Sequence, residues 1–138
     1  MMIRPLLSRI WSLRLPLLIL ALLVVISSKG TQPSWSNRGS LVFFTANWCA
    51  SCREAEPIVK EVASQNNLTL MTIDVDGADA PKQAHNAGLS IPTESPPQVF
   101  YLSHGRTSLV YNGSKAPHAS AEDVRSALLS NLQKLLPQ

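Results

Sequence analysis

Leu41-Val42-Phe43-Phe44-Thr45-Ala46-Asn47-Trp48-Cys49-Ala50-Ser51-Cys52 is the stretch around which the chain is organised. Leu41–Thr45 is a short run of aliphatic, aromatic and β-branched residues, which suits a central strand covered on both faces. Ala46-Asn47-Trp48 makes a turn. Beyond the cysteines, from Arg53 to Asn66, the apolar residues Ala55, Ile58, Val59, Val62 and Ala63 recur at i, i+3, i+4, i+7 and i+8, the stripe of an amphipathic helix. A strand therefore delivers the only two cysteines of the 138-residue chain, two residues apart, to the start of a helix. The unpaired N–H groups and macrodipole of a helix N-terminus favour negative charge. The thiolate is the reactive form of cysteine, and this placement can lower a thiol pKa from ~8.5 to roughly 3.5–7.5.

Outward from the motif, Glu56 and Lys60 form a favourable i,i+4 pair on the first helix, and Pro57 removes one backbone donor inside it. Leu68–Val75 reads as a second strand, ended by Asp76-Gly77. Asp79–Ala87 reads as a short helix, with Asp79 at its N-cap and Gly88 as its stop. Leu89–Pro97 is a proline-rich loop and Gln98–Leu102 a third strand. Ser103-His104-Gly105-Arg106 is a hairpin turn into a fourth strand, Thr107–Tyr111. After the loop Asn112–Pro117, Ser120 and Asp123 resemble a capping box for a last helix with the stripe Val124, Ala127, Leu128, Leu132 and Leu135, stopped by Pro137. The order is β-α-β-α-β-β-α, an α/β fold.

The first 28 residues have a different character. Arg4, Arg9 and Arg14 precede the uncharged run Leu15–Ile26, and Ser27, Ser28 and Gly30 follow it. This is the pattern of an export signal. The twelve residues of the run fall short of the ~20 that span a bilayer. Trp11–Ser28 is longer but includes Arg14, whose head would have to snorkel to the interface, so a cleaved signal and a retained signal-anchor both stay open. Residues 1–28 are thus read as signal or anchor, 29–40 as a polar linker and 41–136 as the domain. In either case the arginines stay on the cytoplasmic side, and the cysteines face a compartment such as a bacterial periplasm, where disulfides persist. The formal net charge of +3 comes from the three N-terminal arginines. The remainder is neutral, which argues against a basic nucleic-acid-binding face.

Taken together, Trp48-Cys49-Ala50-Ser51-Cys52 after a buried strand, Pro57 five residues past the second cysteine, the glycine hairpin and the terminal helix resemble the thioredoxin-fold family over about 40–136. The likeness is to its membrane-tethered or periplasmic thiol–disulfide oxidoreductases. The resemblance implies a four-stranded mixed sheet flanked by helices and a redox-active Cys49–Cys52 disulfide. It implies that Cys49, the more exposed sulfur, attacks and that Cys52 resolves. Trp48 packs beside the pair and shapes the partner surface, and Arg53 adds positive field or points to solvent.

The family's cis-proline has two candidates. Pro92 stands in the local wording Ile91-Pro92-Thr93. Pro97 lies eight residues before Gly105 and is preferred because it abuts the third strand. It would follow Pro96, which has no N–H to offer a substrate segment. Two departures concern the tuning of Cys52: Phe43 stands where thioredoxins carry a buried acid, and Leu70 where they carry a lysine. The expected partners are protein thiols and disulfides, with a membrane electron donor; no cofactor and no metal is expected.

A reductase is favoured, on analogy, over an oxidase or isomerase. The alternative is a non-catalytic thioredoxin-like binding or assembly module with a structural or vestigial Cys pair. Zinc held with His85, His104 or His118 lacks the usual ligand spacing. No glycine-rich phosphate loop and no motif-placed Ser/His/Asp set is present. Asn67-Leu68-Thr69 and Asn112-Gly113-Ser114 fit the N-glycosylation triplet, which is common by chance.

Overall fold

The computed structural model describes residues 39–137; the segment assigned as signal or anchor, and all of the linker but its last two residues, lie outside them. The elements are β1 (Ser40–Thr45), α1 (Ala50–Gln65), β2 (Thr69–Asp74), α2 (Ala80–Asn86), β3 (Gln98–Ser103), β4 (Arg106–Asn112) and α3 (Ala121–Gln133), with a short 3₁₀ turn at Gly113–Lys115. The four strands form one mixed sheet in the order β2-β1-β3-β4. β1 runs parallel to β2 and antiparallel to β3, and β3 and β4 form an antiparallel hairpin.

β1 shows why its sequence is apolar without alternation. Leu41 and Phe43 face the layer of α1 and α3, where they join Val59, Val62 and Leu128. Val42 and Phe44 face the other side, with Ala80 and Ala84 of α2 and Ile73 of β2. Period-2 geometry thus sends successive side chains into two different cores. All four are fully buried, and Phe44 meets Phe100 edge-on at 5.7 Å between ring centroids.

The stripe of α1 is buried as its spacing predicts, with Cys52 at its head. α1 is tied to α3 by a two-pronged pair: Arg125 Nη1 and Nη2 donate to Glu61 Oε1 and Oε2 at 2.6 and 2.7 Å. These bonds hold the Glu61 carboxyl below its usual range.

The capping box of α3 is present in both directions, Ser120 to Asp123 and back. The hairpin is a two-residue loop with positive φ at both His104 (50°) and Gly105 (73°), the backbone such loops require.

Two local expectations differ from the structure. Asp79 holds the N-cap position of α2, but its side chain makes no cap hydrogen bond. Leu135 is 40% exposed because α3 ends at Gln133, so the stripe loses its helical phase there; Leu136 packs against the core instead.

Candidate functional site

At the carboxyl end of β1 the backbone turns through Ala46, with Cys49 N–H donating to Ala46 C=O at 3.1 Å. α1 then begins at Ala50, which makes Cys49 the N-cap residue. Its extended backbone (φ −86°, ψ 103°) aims the side chain back over the first turn, and Cys52 N–H donates to Cys49 Sγ at 3.1 Å. The sulfur occupies the place that a serine or aspartate oxygen takes in an ordinary cap. Cys49 and Cys52 are joined by a disulfide with their Cα atoms 5.2 Å apart.

Cys49 is 4% exposed and Cys52 not at all. Both residues lie in the core cluster with Phe43, Ala55 and Val59, and of the two Cys49 keeps the small residual exposure, so the side open to attack is that of Cys49. Ser51 Oγ lies 3.5 Å from Cys49 Sγ and donates to it while the sulfur is bonded. The Pro96 carbonyl oxygen stands 3.6 Å from the same sulfur. A disulfide sulfur has no proton to give that oxygen; the thiol of the reduced protein has one.

The cis peptide bond joins Pro96 to Pro97, immediately before β3. Pro97 is fully buried, and its carbonyl accepts from Gly113 N–H at 2.8 Å. Gly113 must stay small here, since a Cβ would sit 2.5 Å from Pro97 Cγ. Pro57 lies inside α1 with its ring exposed, two turns beyond Cys49 and out of contact range of the sulfur surface.

Trp48 is 63% exposed rather than packed into the body of the domain. Its indole is nonetheless held in place, with Nε1 donating to Asp76 Oδ2 at 2.7 Å. Asn47 Nδ2 donates to Asp74 Oδ2 at 2.9 Å, and Asp74 Oδ1 accepts from Asp76 N–H at 3.1 Å. The loop after β2 therefore fixes the residues just ahead of the cysteines. Arg53 is exposed and donates to Asn47 C=O at 3.0 Å, which ties it to the turn between β1 and α1 rather than to a sulfur.

From the sequence, Asp76 belongs to the turn that ends the second strand and Asn47 to the turn before the cysteines, with no contact between them implied. An indole N–H ahead of the helix and two acids at and just past the end of β2 were the available signal, but nothing in the spacing says that they meet. The three histidines are exposed. The positions of the missing tuning groups are apolar in fact: Phe43 is fully buried in the cluster that contains Cys52, and Leu70 packs at its margin. A cavity of about 400 Å³ opens at the other end of the sheet, between Gly39, Asn86, Gly88, Leu102, His104 and Thr107, away from the cysteines.

The family model described as Thioredoxin matches residues 31–126. Thioredoxins of Mycobacterium bovis and Mycobacterium tuberculosis are 37% identical to this chain over 70 residues, covering 49% of it and 59% of each of them. A bifunctional thioredoxin reductase/thioredoxin of Mycobacterium leprae is 44% identical over 43 residues, covering 30% of this chain and 9% of that protein. The chain thus spans less than two thirds of the length of these relatives. Among solved structures, oxidised thioredoxin O1 of Arabidopsis thaliana aligns with a TM-score of 0.48 at 21% identity, over 74% of this chain and 80% of its own. A strand–turn–helix that carries Trp48-Cys49-Ala50-Ser51-Cys52, a proline-bearing loop laid on the first sulfur and a family match over most of the chain agree on one assignment: the chain belongs to the thioredoxin family.

Proposed function

We propose that the protein is a thiol–disulfide oxidoreductase that works outside the cytoplasm and reduces protein disulfides through the Cys49–Cys52 dithiol. The observation that carries this reading is the bonded pair at the start of α1, with Cys52 fully buried, Cys49 keeping a slight 4% exposure, and Cys52 N–H aimed at Cys49 Sγ. The N–H and the aligned peptide dipoles favour a thiolate on Cys49 by about 0.3–1 kcal/mol, more where water is partly excluded.

In the reduced protein the Cys49 thiolate attacks a substrate disulfide. A Cys49–substrate disulfide forms, and the other substrate sulfur leaves as a thiolate. The Cys52 thiol passes its proton to that departing thiolate or to water, then attacks Cys49 Sγ. This forms the Cys49–Cys52 disulfide and releases the second substrate thiolate. Two electrons have moved from the protein to the substrate, and a second dithiol must restore them. A membrane-bound dithiol donor fits a domain (41–136) joined by the linker 29–40 to a signal or anchor at 1–28. The three arginines ahead of Leu15–Ile26 support that topology.

Cys52 has no buried acid beside it to take its proton, because Phe43 fills that space. The same observation favours the second reading, a thioredoxin-like binding module whose pair has no turnover.

Two measurements separate these readings. Reduction of insulin disulfides by the reduced protein supports the enzyme, and failure to reduce them supports the module. The equilibrium potential of the Cys49–Cys52 couple against glutathione sets the direction. A value near about −270 mV, typical of thioredoxin, is expected for a reductase, whereas one near about −120 mV marks an oxidant and would overturn that assignment.

A further inference from the structure

The loop that carries Pro96 to Cys49 is poorly equipped to hold itself. Pro92, Pro96 and Pro97 have no N–H, so three backbone donors are missing from six residues. Its attachments are made from outside. The Glu94 carboxylate accepts from Asn112 Nδ2 and, through the same oxygen, faces Ser114 Oγ at 3.2 Å. The Glu94 carbonyl accepts from Gln98 Nε2 at 3.2 Å, and Gln98 is 3% exposed. Gly113 N–H completes the set at Pro97.

The receiving turn is itself ordered, since Asn112 Oδ1 accepts from Ser114 N–H at 3.1 Å and stands 2.7 Å from Ser114 Oγ. The Ser114 hydroxyl has one proton and serves either Asn112 or Glu94. Asn112 first, then Ser114, keep the Glu94 carboxyl below its usual range, so the clasp is ionic near neutral pH.

We propose that Glu94 is a positioning residue: its clasp on Asn112 and Ser114 holds the Pro96 carbonyl oxygen against Cys49 Sγ and thereby restrains the thiolate of the attacking cysteine. This rests on the reading of Cys49 as the attacking sulfur. Two backbone groups act on Cys49 in opposite senses. The Cys52 N–H stabilises the thiolate. The Pro96 oxygen accepts a hydrogen bond from the thiol and repels the thiolate, so it stabilises the protonated form. The balance depends on how closely the loop is held.

The other titratable or charged groups around the pair are Cys52 and Arg53 on α1, Asp74 at the end of β2, Asp76 after it, and Lys115 after β4. Arg53, Asp74 and Asp76 are engaged with Asn47 or Trp48. They are unchanged by substitution at Glu94.

The test is the pH profile of iodoacetamide alkylation of Cys49 in the full-length chain, reduced, on a Cys52→Ser background so that one thiol reports. Glu94→Ala is expected to move the profile to lower pH and raise the rate near pH 6 about threefold, the change for roughly half a pKa unit. Glu94→Gln keeps the amide oxygen as an acceptor for Asn112 and Ser114 and is expected to follow the parent. Ser114→Ala removes one donor and is expected to shift the profile less, in the same direction, which supplies a reading if Glu94→Ala fails to fold. A Glu94→Ala profile superimposed on the parent, or a Glu94→Gln profile that follows Glu94→Ala, overturns the proposal. Alkylation needs no substrate and no turnover, so a protein that leaves insulin intact fails the functional reading without deciding this one.

Discussion

Cys49→Ser is expected to abolish insulin reduction, to the uncatalysed background, while leaving the domain folded. The loss follows because Cys49 is the cysteine that keeps any exposure, at 4%, whereas Cys52 is fully buried. Retention of the fold follows from the size of the ring that the disulfide closes. The loop-entropy relation gives a four-residue loop about 2 kcal/mol at the most, and the two cores on either side of β1 do not depend on it. Far-UV circular dichroism and a urea midpoint check the second half of this expectation. A Cys49→Ser protein that unfolds would make the disulfide a structural staple and favour the binding-module reading. One that folds and still reduces insulin would place the chemistry elsewhere.

Phe43→Asp is expected to be the most damaging single change to stability, although it restores the residue type that the thioredoxin resemblance leads one to look for. Phe43 is fully buried on β1, in the same cluster as Cys52, Val59 and Leu128. Truncating a buried phenylalanine costs about 3–5 kcal/mol, and an unpaired polar group in its place adds to that. Leu70, on the neighbouring strand β2 opposite Leu41, supplies no cation to compensate.

The sign of the pH dependence follows from desolvation. Burial raises the pKa of the new carboxyl above its unfolded value, so the variant binds more protons folded than unfolded. Its stability is then greatest below the unfolded carboxylate pKa and falls as pH rises through the folded one. Urea unfolding at two pH values reads this directly. A Phe43→Asp protein as stable as the parent near neutrality would mean that water already reaches the space behind Cys52, contrary to the packing described here.

Much of the fold was legible because β1 and α1 state their environments locally. A five-residue run without polar alternation has to be covered on both faces, and the sheet order places β1 between β2 and β3 with helices on either side. The i, i+3, i+4 stripe of α1 and the Ser120–Asp123 pair of α3 are likewise short-range patterns that need no knowledge of the rest of the chain. Leu135 shows the limit of periodicity: it continues the stripe in sequence, but the helix has already ended.

The candidate site was legible in its sulfurs and in its proline. The cis bond falls at Pro97, the candidate that abuts β3, and not at Pro92. The polar framework around them was not legible. Trp48 reaches Asp76 across 28 positions of sequence, and Glu94 reaches Ser114 across 20. Such contacts join loops that are far apart in sequence, and the residue types involved are ones that turns use anyway. Asn112-Gly113-Ser114 even carried a competing reading as a glycosylation triplet. In the structure its two polar side chains face Glu94, and its glycine lets Pro97 approach. A pattern of residues could not distinguish those uses; a distance can.

The most direct test of the account is a Cys52→Ser variant exposed to oxidised protein substrates and analysed on non-reducing gels with and without dithiothreitol. Disulfide-linked adducts through Cys49 are expected, released by dithiothreitol and lost when Cys49 is also replaced by serine. Absence of adducts, or adducts that persist without Cys49, would contradict the assignment of Cys49 as the attacking sulfur and Cys52 as the one that resolves.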